Sequence, residues 1–488
     1  MNNTDSKGGY AHVLKYTGIF GGVQLLSILV GIVRNKVAAL LIGPTGMGLV
    51  ALFSAVQAFV VQATGLGVSF SAIRHLSELY DAGDEGGFLH HVRVVRGWGV
   101  VTALLALLVC MGVAPLMSGF AFDGGDHTLH FLTLAPACSL TILASCEAAI
   151  LKAAHKLRAL ALAQVWTVVA ALAISAPAYY LFGVAAIVPV LVLTALASMV
   201  MTVAWSYRLY PLKLRGLIGL LGEGTAMVRL GVAFTLAGIV GSGCEMLVRA
   251  LLNVSADLDT VGLYNAGYVL TVTYSSMVFS AMETDYFPRL SAVNHDAQAV
   301  RQAANRQAEV SLLMIAPMIA AMVVALPLIV PLLYSGKFAP VTPMAQVAVL
   351  AMYFKGMTLP VAYITLAKGD SGAFLALESA YYVVFVLLIV FGFGHWGLLG
   401  TGYALLAANM FDLVMIFLYA HLRYGYSPSW RLVRYAAVHI PLGAAAYAAT
   451  FIGGAAARII IGVAVAVVAT GTSLFLLRKA QQKEKIKN

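Results

Sequence analysis

The stretch Ser27 to Gly48, SILVGIVRNKVAALLIGPTGMG, decides how this chain reads, because it sets two cations, Arg34 and Lys36, inside an otherwise apolar helical run. A helix needs roughly 20 apolar residues to cross the hydrocarbon core of a bilayer. If the first crossing ended at Val33, both cations would lie on the wrong side for the positive-inside rule. A crossing from Tyr16 to Ile42 removes the conflict, as a long, tilted or bent helix that turns Arg34 into the protein. An arginine is costly in lipid, so there it faces a wet cavity and marks a substrate path. Snorkelling to the outer headgroups is the competing reading, and it suits Lys36 better than Arg34.

The rest of the composition agrees with a membrane chain. Hydrophobic residues make up 61% and charged residues only 10% of the 488, against about 25% charged in water-soluble globules. The first crossing is too long for a cleavable signal peptide and lacks a small-residue cleavage site, so it is expected to stay. Cys110, Cys138, Cys146 and Cys244 fall inside expected spans, where cysteine behaves as a small buried hydrophobe and implies no disulfide framework.

A net charge of +10 would suit nucleic acid, but its distribution follows membrane topology. Of the 30 Lys and Arg, all but Arg34, Lys36, Arg249, Lys337, Lys355 and Arg458 fall in segments expected in the cytoplasm, while Asp123, Asp126, Asp257 and Asp259 sit in outer turns. The tail RKAQQKEKIKN carries five of those cations and reads as a topogenic, lipid-facing anchor. No nucleic-acid partner is expected.

Hydropathy divides the chain into about fourteen transmembrane helices, an all-α polytopic fold. Residues 1–206 form a first lobe of six spans, 207–229 a cytoplasmic linker containing Pro211, and 230–420 a second lobe of six. Spans thirteen and fourteen fill 421–477, and 478–488 is the basic tail. The even count places both termini inside. His75 to Arg96 reads as the longest inner loop, an amphipathic surface helix with charges of both signs.

An internal repeat supports the two lobes. GMGLVALFSAVQ from Gly46 resembles TVGLYNAGYVLT from Thr260, with Gly48-Leu49 and Gly262-Leu263 aligned at an offset of 214. SAIRHLSEL and DYFPRLSAV, at the ends of spans two and eight, match similarly and set Arg74 opposite Arg289. Units of six spans have the same orientation, so a parallel pseudo-two-fold along the membrane normal is expected, with substrate bound between lobes. Pro288 reads as a helix stop and Arg289 as an inner-surface anchor.

The remaining intramembrane charges have two readings each. Glu245 and Arg249, four apart on span seven, share one helix face and can neutralise each other or meet substrate. Lys355 in span ten has no acid three or four residues away, so it is either a cavity cation or half of an inter-helix pair. Asp412 and Glu378 are acids in or near spans, and Asp412 is deep enough to pair with Lys355 or to exchange a coupling ion such as H+ or Na+. Glu147, Glu283 and Asp285 lie near expected cytoplasmic ends and read as surface residues. The tyrosines of the second lobe read mostly as an interfacial belt.

These motifs resemble the multidrug/oligosaccharidyl-lipid/polysaccharide (MOP) exporter superfamily. Ser27, Gly31, Arg34 and Gly43 stand where MurJ-type lipid II flippases carry the same residue types. The Gly43 to Leu49 loop and the Asp285 to Ser291 run resemble the polysaccharide-transporter branch, the Wzx-type O-antigen flippases. The resemblance implies a MATE-like fold of two six-helix lobes plus two C-terminal helices, with Arg34 lining a central cavity. It implies a flippase that moves undecaprenyl-diphosphate-linked oligosaccharide across a bacterial inner membrane by alternating access. A polysaccharide polymerase and a chain-length regulator are the partners that would go with it.

The chemistry of the residues points the same way. A cavity lined by Arg34, with Arg249, Lys355 and Lys36 as further candidate cations, suits a diphosphate, whose oxygens match the planar guanidinium fork. Unescorted ions in hydrocarbon cost tens of kcal/mol, so such a path must be wet and cationic. The sequence contains no GxxxxGK[ST] phosphate loop, so direct ATP use is not expected, and no cofactor is. A MATE-like ion-coupled multidrug exporter is the alternative, although organic cations favour a carboxylate-lined cavity. A membrane-embedded polysaccharide-assembly enzyme fits less well, because no metal-spaced His cluster or nucleophile motif is present.

Overall fold

The computed structural model describes residues 5–122, 126–211, 222 and 224–485, with side chains described outside 5–25, 28, 226–234, 274, 277–278, 280–285, 455 and 480–485. The described chain is built from α1 (Asp5–Thr64), α2 (Val68–Asp81), α3 (Glu85–Ala121), α4 (Thr128–Ala153), α5 (Leu157–Phe182), α6 (Ile187–Leu209) and α7 (Thr225–Ser255). There follow α8 (Leu258–Tyr268), α9 (Tyr274–Ala292), α10 (Ala297–Leu333), α11 (Thr342–Ala367), α12 (Ser371–Tyr424), α13 (Trp430–Ala449) and α14 (Ala455–Lys485). Helices are the form expected of spans in lipid, where each backbone group must be satisfied within its own segment.

Nine segments among the described residues are long and apolar enough to cross a membrane. Three of them, Leu29–Thr64, Leu157–Leu209 and Ser371–Tyr424, run 36, 53 and 54 residues and are broken inside, at Gly43, at the 3-10 turn Gly183–Ala186 and at Gly397. Each therefore supplies two crossings. Counted that way the nine segments give twelve crossings among the described residues, and α8 with α9, and α13, occupy the places where the sequence sets spans eight and thirteen.

The chain separates into two compact units, Met1–Val261 and Gly262–Asn488. α7 packs in the first unit against α1, α2 and α3. Residues 212–221 and 223 of the expected linker lie outside the described residues.

In the first unit, α1 breaks at Gly43, whose φ of 65° and ψ of −171° suit a residue without Cβ. Pro44 follows, and the Thr45 hydroxyl donates to Asp259, a position separated from it by the repeat offset of 214. The second arm ends at Thr64, short of the expected Phe70, because Leu66 and Gly67 both take positive φ. The stretch His75–Arg96 is helical, as expected, but not as one surface helix. It is the end of α2, a turn at Gly83, and the first turns of α3, started by the Asp84 carboxylate accepting from Gly87 N at 2.8 Å.

Arg96 and Glu147 correct the surface positions assigned to them: they are 5% and 4% exposed. Arg96 Nε and Nη2 donate to the two Glu147 oxygens at 2.8 and 3.1 Å, and the Ser206 hydroxyl donates to Glu147 Oε2 at 2.5 Å. Arg96 Nη1 donates to the Tyr210 carbonyl at 3.0 Å, and the guanidinium lies 4.2 Å from the Tyr207 ring centroid. A bidentate, fully bonded pair of this kind is the form in which buried charge is tolerated. It fastens α3, α4 and α6 together.

In the second unit α12 doubles back on itself at Gly397, which has a φ of 54°. The two arms touch at Gly392 and Gly400, so closely that a Cβ on Gly400 would stand 1.8 Å from the Gly392 carbonyl oxygen. At the far end the Asp370 carboxylate caps the first arm at Ala373 N and accepts the hydroxyls of Tyr419 and Tyr424 on the second, at 3.2 and 3.0 Å. These bonds, the backbone one first, hold the Asp370 carboxyl below its usual range. Each arm is about 40 Å long at 1.5 Å per residue, enough for the roughly 30 Å hydrocarbon core.

Pro288 does not stop its helix, and α9 continues to Ala292. Proline forfeits one backbone hydrogen bond to the preceding turn, and Pro288 is exposed, while Tyr286 beside it is buried with its hydroxyl on the Pro360 carbonyl at 2.7 Å. Arg289 is exposed, and the side chains of Glu283 and Asp285 lie outside the described residues.

Candidate functional site

The cations and acids singled out in the sequence fall into three groups. Arg34 stands in the first arm of α1, half-buried. Exposed Leu29, Val33 and Leu40 mark one apolar side of that arm, and helical spacing puts Arg34 off that side, on the stripe of Ser27, Gly31 and Ala38. A Cβ on Gly31 would meet nothing within 4 Å, so the space beside Gly31, one turn before Arg34, is open. Arg34 comes within electrostatic reach of the Tyr179 hydroxyl on α5 but forms no hydrogen bond or ion pair among the described residues. Lys36, two residues on, is also half-buried.

Arg249 and Glu245 on α7 form the expected i, i+4 contact. Arg249 is 7% exposed and its Nη1 donates to the Glu245 carbonyl at 2.9 Å and to its carboxylate at 3.3 Å. This pair neutralises Arg249 within its own helix, which leaves Arg34 as the more open cation of the first unit.

Lys355 sits on α11 against both arms of the α12 hairpin. Its Nζ donates to Asp412 Oδ2 on the second arm at 3.5 Å, lies 5.1 Å from the Tyr381 ring centroid on the first arm, and interacts electrostatically with Glu378 there. The sequence had left open whether Lys355 was a cavity cation or half of an inter-helix pair. The structure brings it together with both acids, two carboxyl groups around one ammonium where α11 meets the two arms of α12. Lys355→Met and Asp412→Leu should each destabilise the chain, and the double variant should lose less than their sum, with a coupling of about 1–3 kcal/mol. Unfolding midpoints of the four proteins in detergent measure it, and simple additivity would show that the pair contributes no coupling.

No sequence signal points to the Arg96–Glu147–Ser206 cluster. Its members are 51 and 59 residues apart, beyond any helical spacing rule, and Arg96 lies at the edge of a charged run that resembled a solvated surface.

A family model described as polysaccharide biosynthesis protein matches residues 37–343. Among solved structures, the chain is similar to the lipid II flippase MurJ in an inward closed conformation, with 14% identity, a TM-score of 0.70, and coverage of 95% of this chain and 99% of that one. It is also similar to a multidrug resistance MATE family transporter of the MOP superfamily in an inward-facing conformation, at 15% identity and a TM-score of 0.67 over 82% and 94% of the two chains. A MOP superfamily transporter from Pyrococcus furiosus, described as having a binding pocket of reverse polarity, matches at 13% identity and a TM-score of 0.59 over 83% and 94%. No curated protein matches the chain by sequence. The structural likenesses show the fold, that of MOP superfamily transporters.

Proposed function

Because the chain belongs to the polysaccharide biosynthesis protein family, we propose that it is a flippase that carries a lipid-linked oligosaccharide across a bacterial inner membrane by alternating access. The cargo is an undecaprenyl-diphosphate-linked glycan, taken from the cytoplasmic to the outer leaflet, and both termini of the chain lie in the cytoplasm. The observation that carries this reading is Arg34, a guanidinium held off the exposed apolar stripe of α1, near the open space at Gly31 and without a hydrogen-bonding partner among the described residues. A diphosphate supplies what that group lacks, since its oxygens accept the guanidinium fork bidentately.

The test is translocation of a labelled undecaprenyl-diphosphate oligosaccharide in proteoliposomes. Arg34→Ala should reduce the rate roughly 10- to 100-fold, the scale set by one charge-assisted hydrogen-bonding group. Arg34→Lys should retain an intermediate rate, because lysine keeps the charge and loses the fork. Unchanged flipping in correctly folded Arg34→Ala would remove Arg34 from the path.

The cluster of Lys355, Asp412 and Glu378 supports a second reading, an ion-coupled exporter of small organic cations, with the carboxylates exchanging H+ or Na+. Gradient-driven export of a cationic dye by protein that flips no lipid-linked glycan would favour it over the first.

A further inference from the structure

A cavity of about 1040 Å³ opens in the second unit where α10, α13 and α14 meet. Its α10 wall runs from Gln298 to Met314 at spacings of three and four, one face of the helix over about 24 Å. That wall changes character along its length. The end near Gln298 carries Arg301, Gln302 and Arg306, and the other end is apolar from Val310 through Leu313 to Met314. Trp430 and Arg431, in the first turn of α13, line the cavity next to Ser429, which bonds Asn305 and Glu309 of that wall, and Leu477 of α14 lines it as well.

The charge in the cavity is lopsided. Three arginines line it against one acid, Glu309, whose Oε1 accepts the Ser429 hydroxyl at 2.5 Å. The wall is also held in place. Buried Asn305 donates to the Ser427 carbonyl at 3.0 Å and accepts from Ser429 N at 2.7 Å and the Tyr426 hydroxyl at 3.1 Å. These bonds pin the segment before α13 onto α10 and so fix where Trp430 and Arg431 start. Trp430 is 76% exposed and Met314 47%, so the cavity is flanked by open apolar surface.

We infer that this cavity binds one anionic phospholipid of the cytoplasmic leaflet. Arg301, Arg306 and Arg431 hold the phosphate-bearing headgroup, and the acyl chains run down the wall past Leu313, Met314 and Leu477. Charge complementarity selects an anion, and the basic-to-apolar gradient selects one that carries a hydrocarbon tail, since a soluble anion would leave the apolar half unmatched. Exposed tryptophan is at home at the headgroup level, and clustered arginines on the cytoplasmic side meet anionic lipid there. The site is independent of the cargo: it holds whether the chain flips a glycolipid or exports a cation.

Trp430 makes the inference testable in the full-length protein. The protein is reconstituted in vesicles whose brominated acyl chains are carried either on phosphatidylglycerol or on phosphatidylcholine, at equal bromine content. The Trp430 emission is taken as the difference between wild type and Trp430→Phe. That emission should be quenched with an apparent affinity about tenfold higher for brominated phosphatidylglycerol, the scale of one or two charge-assisted hydrogen bonds. The combined variant Arg301→Gln, Arg306→Gln, Arg431→Gln should bring the ratio close to one while quenching by phosphatidylcholine stays as in wild type. Equal quenching by the two headgroups in wild type overturns the inference with no variant involved, as does a preference that survives the triple substitution. Displacement of brominated phosphatidylglycerol by soluble glycerol phosphate would overturn the lipid assignment and make this a soluble-anion site.

Discussion

Glu147→Ala should lower the stability of the folded chain by about 3–5 kcal/mol, the cost of leaving one member of a buried ion pair without its partner. The carboxylate is 4% exposed and accepts three hydrogen bonds, two from Arg96 and one from Ser206. With it gone, Arg96 retains the Tyr210 carbonyl, the Ser206 hydroxyl and the Tyr207 ring, but its charge has no counter-ion among the described residues. The double variant Arg96→Met, Glu147→Leu should recover most of the loss, because apolar residues of similar volume replace a buried pair at little net cost. Detergent-solubilised protein followed by thermal unfolding measures the series. A single variant as stable as wild type would mean that the cluster is wet and screened.

Gly400→Ala should be the second severe substitution, at about 3 kcal/mol. The new methyl would stand 1.8 Å from the Gly392 carbonyl oxygen, an atom of rigid helical backbone that cannot rotate aside. The arms of α12 would have to splay, disturbing the Glu378 and Asp412 surroundings of Lys355 on those arms. Gly394→Ala is the internal control. It lies in the same helix, its Cβ would meet nothing within 4 Å, and removing a helical glycine should be neutral or stabilising by about 0.5–1 kcal/mol. Equal stability of the two alanine variants would rule out the close approach of the arms.

Hydropathy made the crossings legible because spans in lipid are long and uniformly apolar, and Arg34 stood out as a charge inside one of them. Asp412 was legible as a partner for Lys355 because few intramembrane acids compete for it. Helix ends were less legible. Span two stops at Thr64 because Leu66 and Gly67 adopt positive φ, a backbone choice that apolar periodicity does not report. Pro288 fails to stop its helix for the converse reason, as a proline near a helix end costs one hydrogen bond and a helix packed through Tyr286 can carry it. Arg96 and Glu147 were assigned to surfaces because a charge near a span end is ordinarily solvated, and only tertiary packing buries it.

The doubled-back form of α12 has a consequence for how the protein is made. Its two arms are joined by one glycine rather than a polar loop, and they are tied at the other end by a single aspartate, Asp370. Neither arm has its final neighbours until the other is in place. The nascent chain should therefore leave the insertion machinery with both arms together, as one preassembled piece. A truncation between them would strand an apolar helix whose contact at Gly392 has no surface to meet.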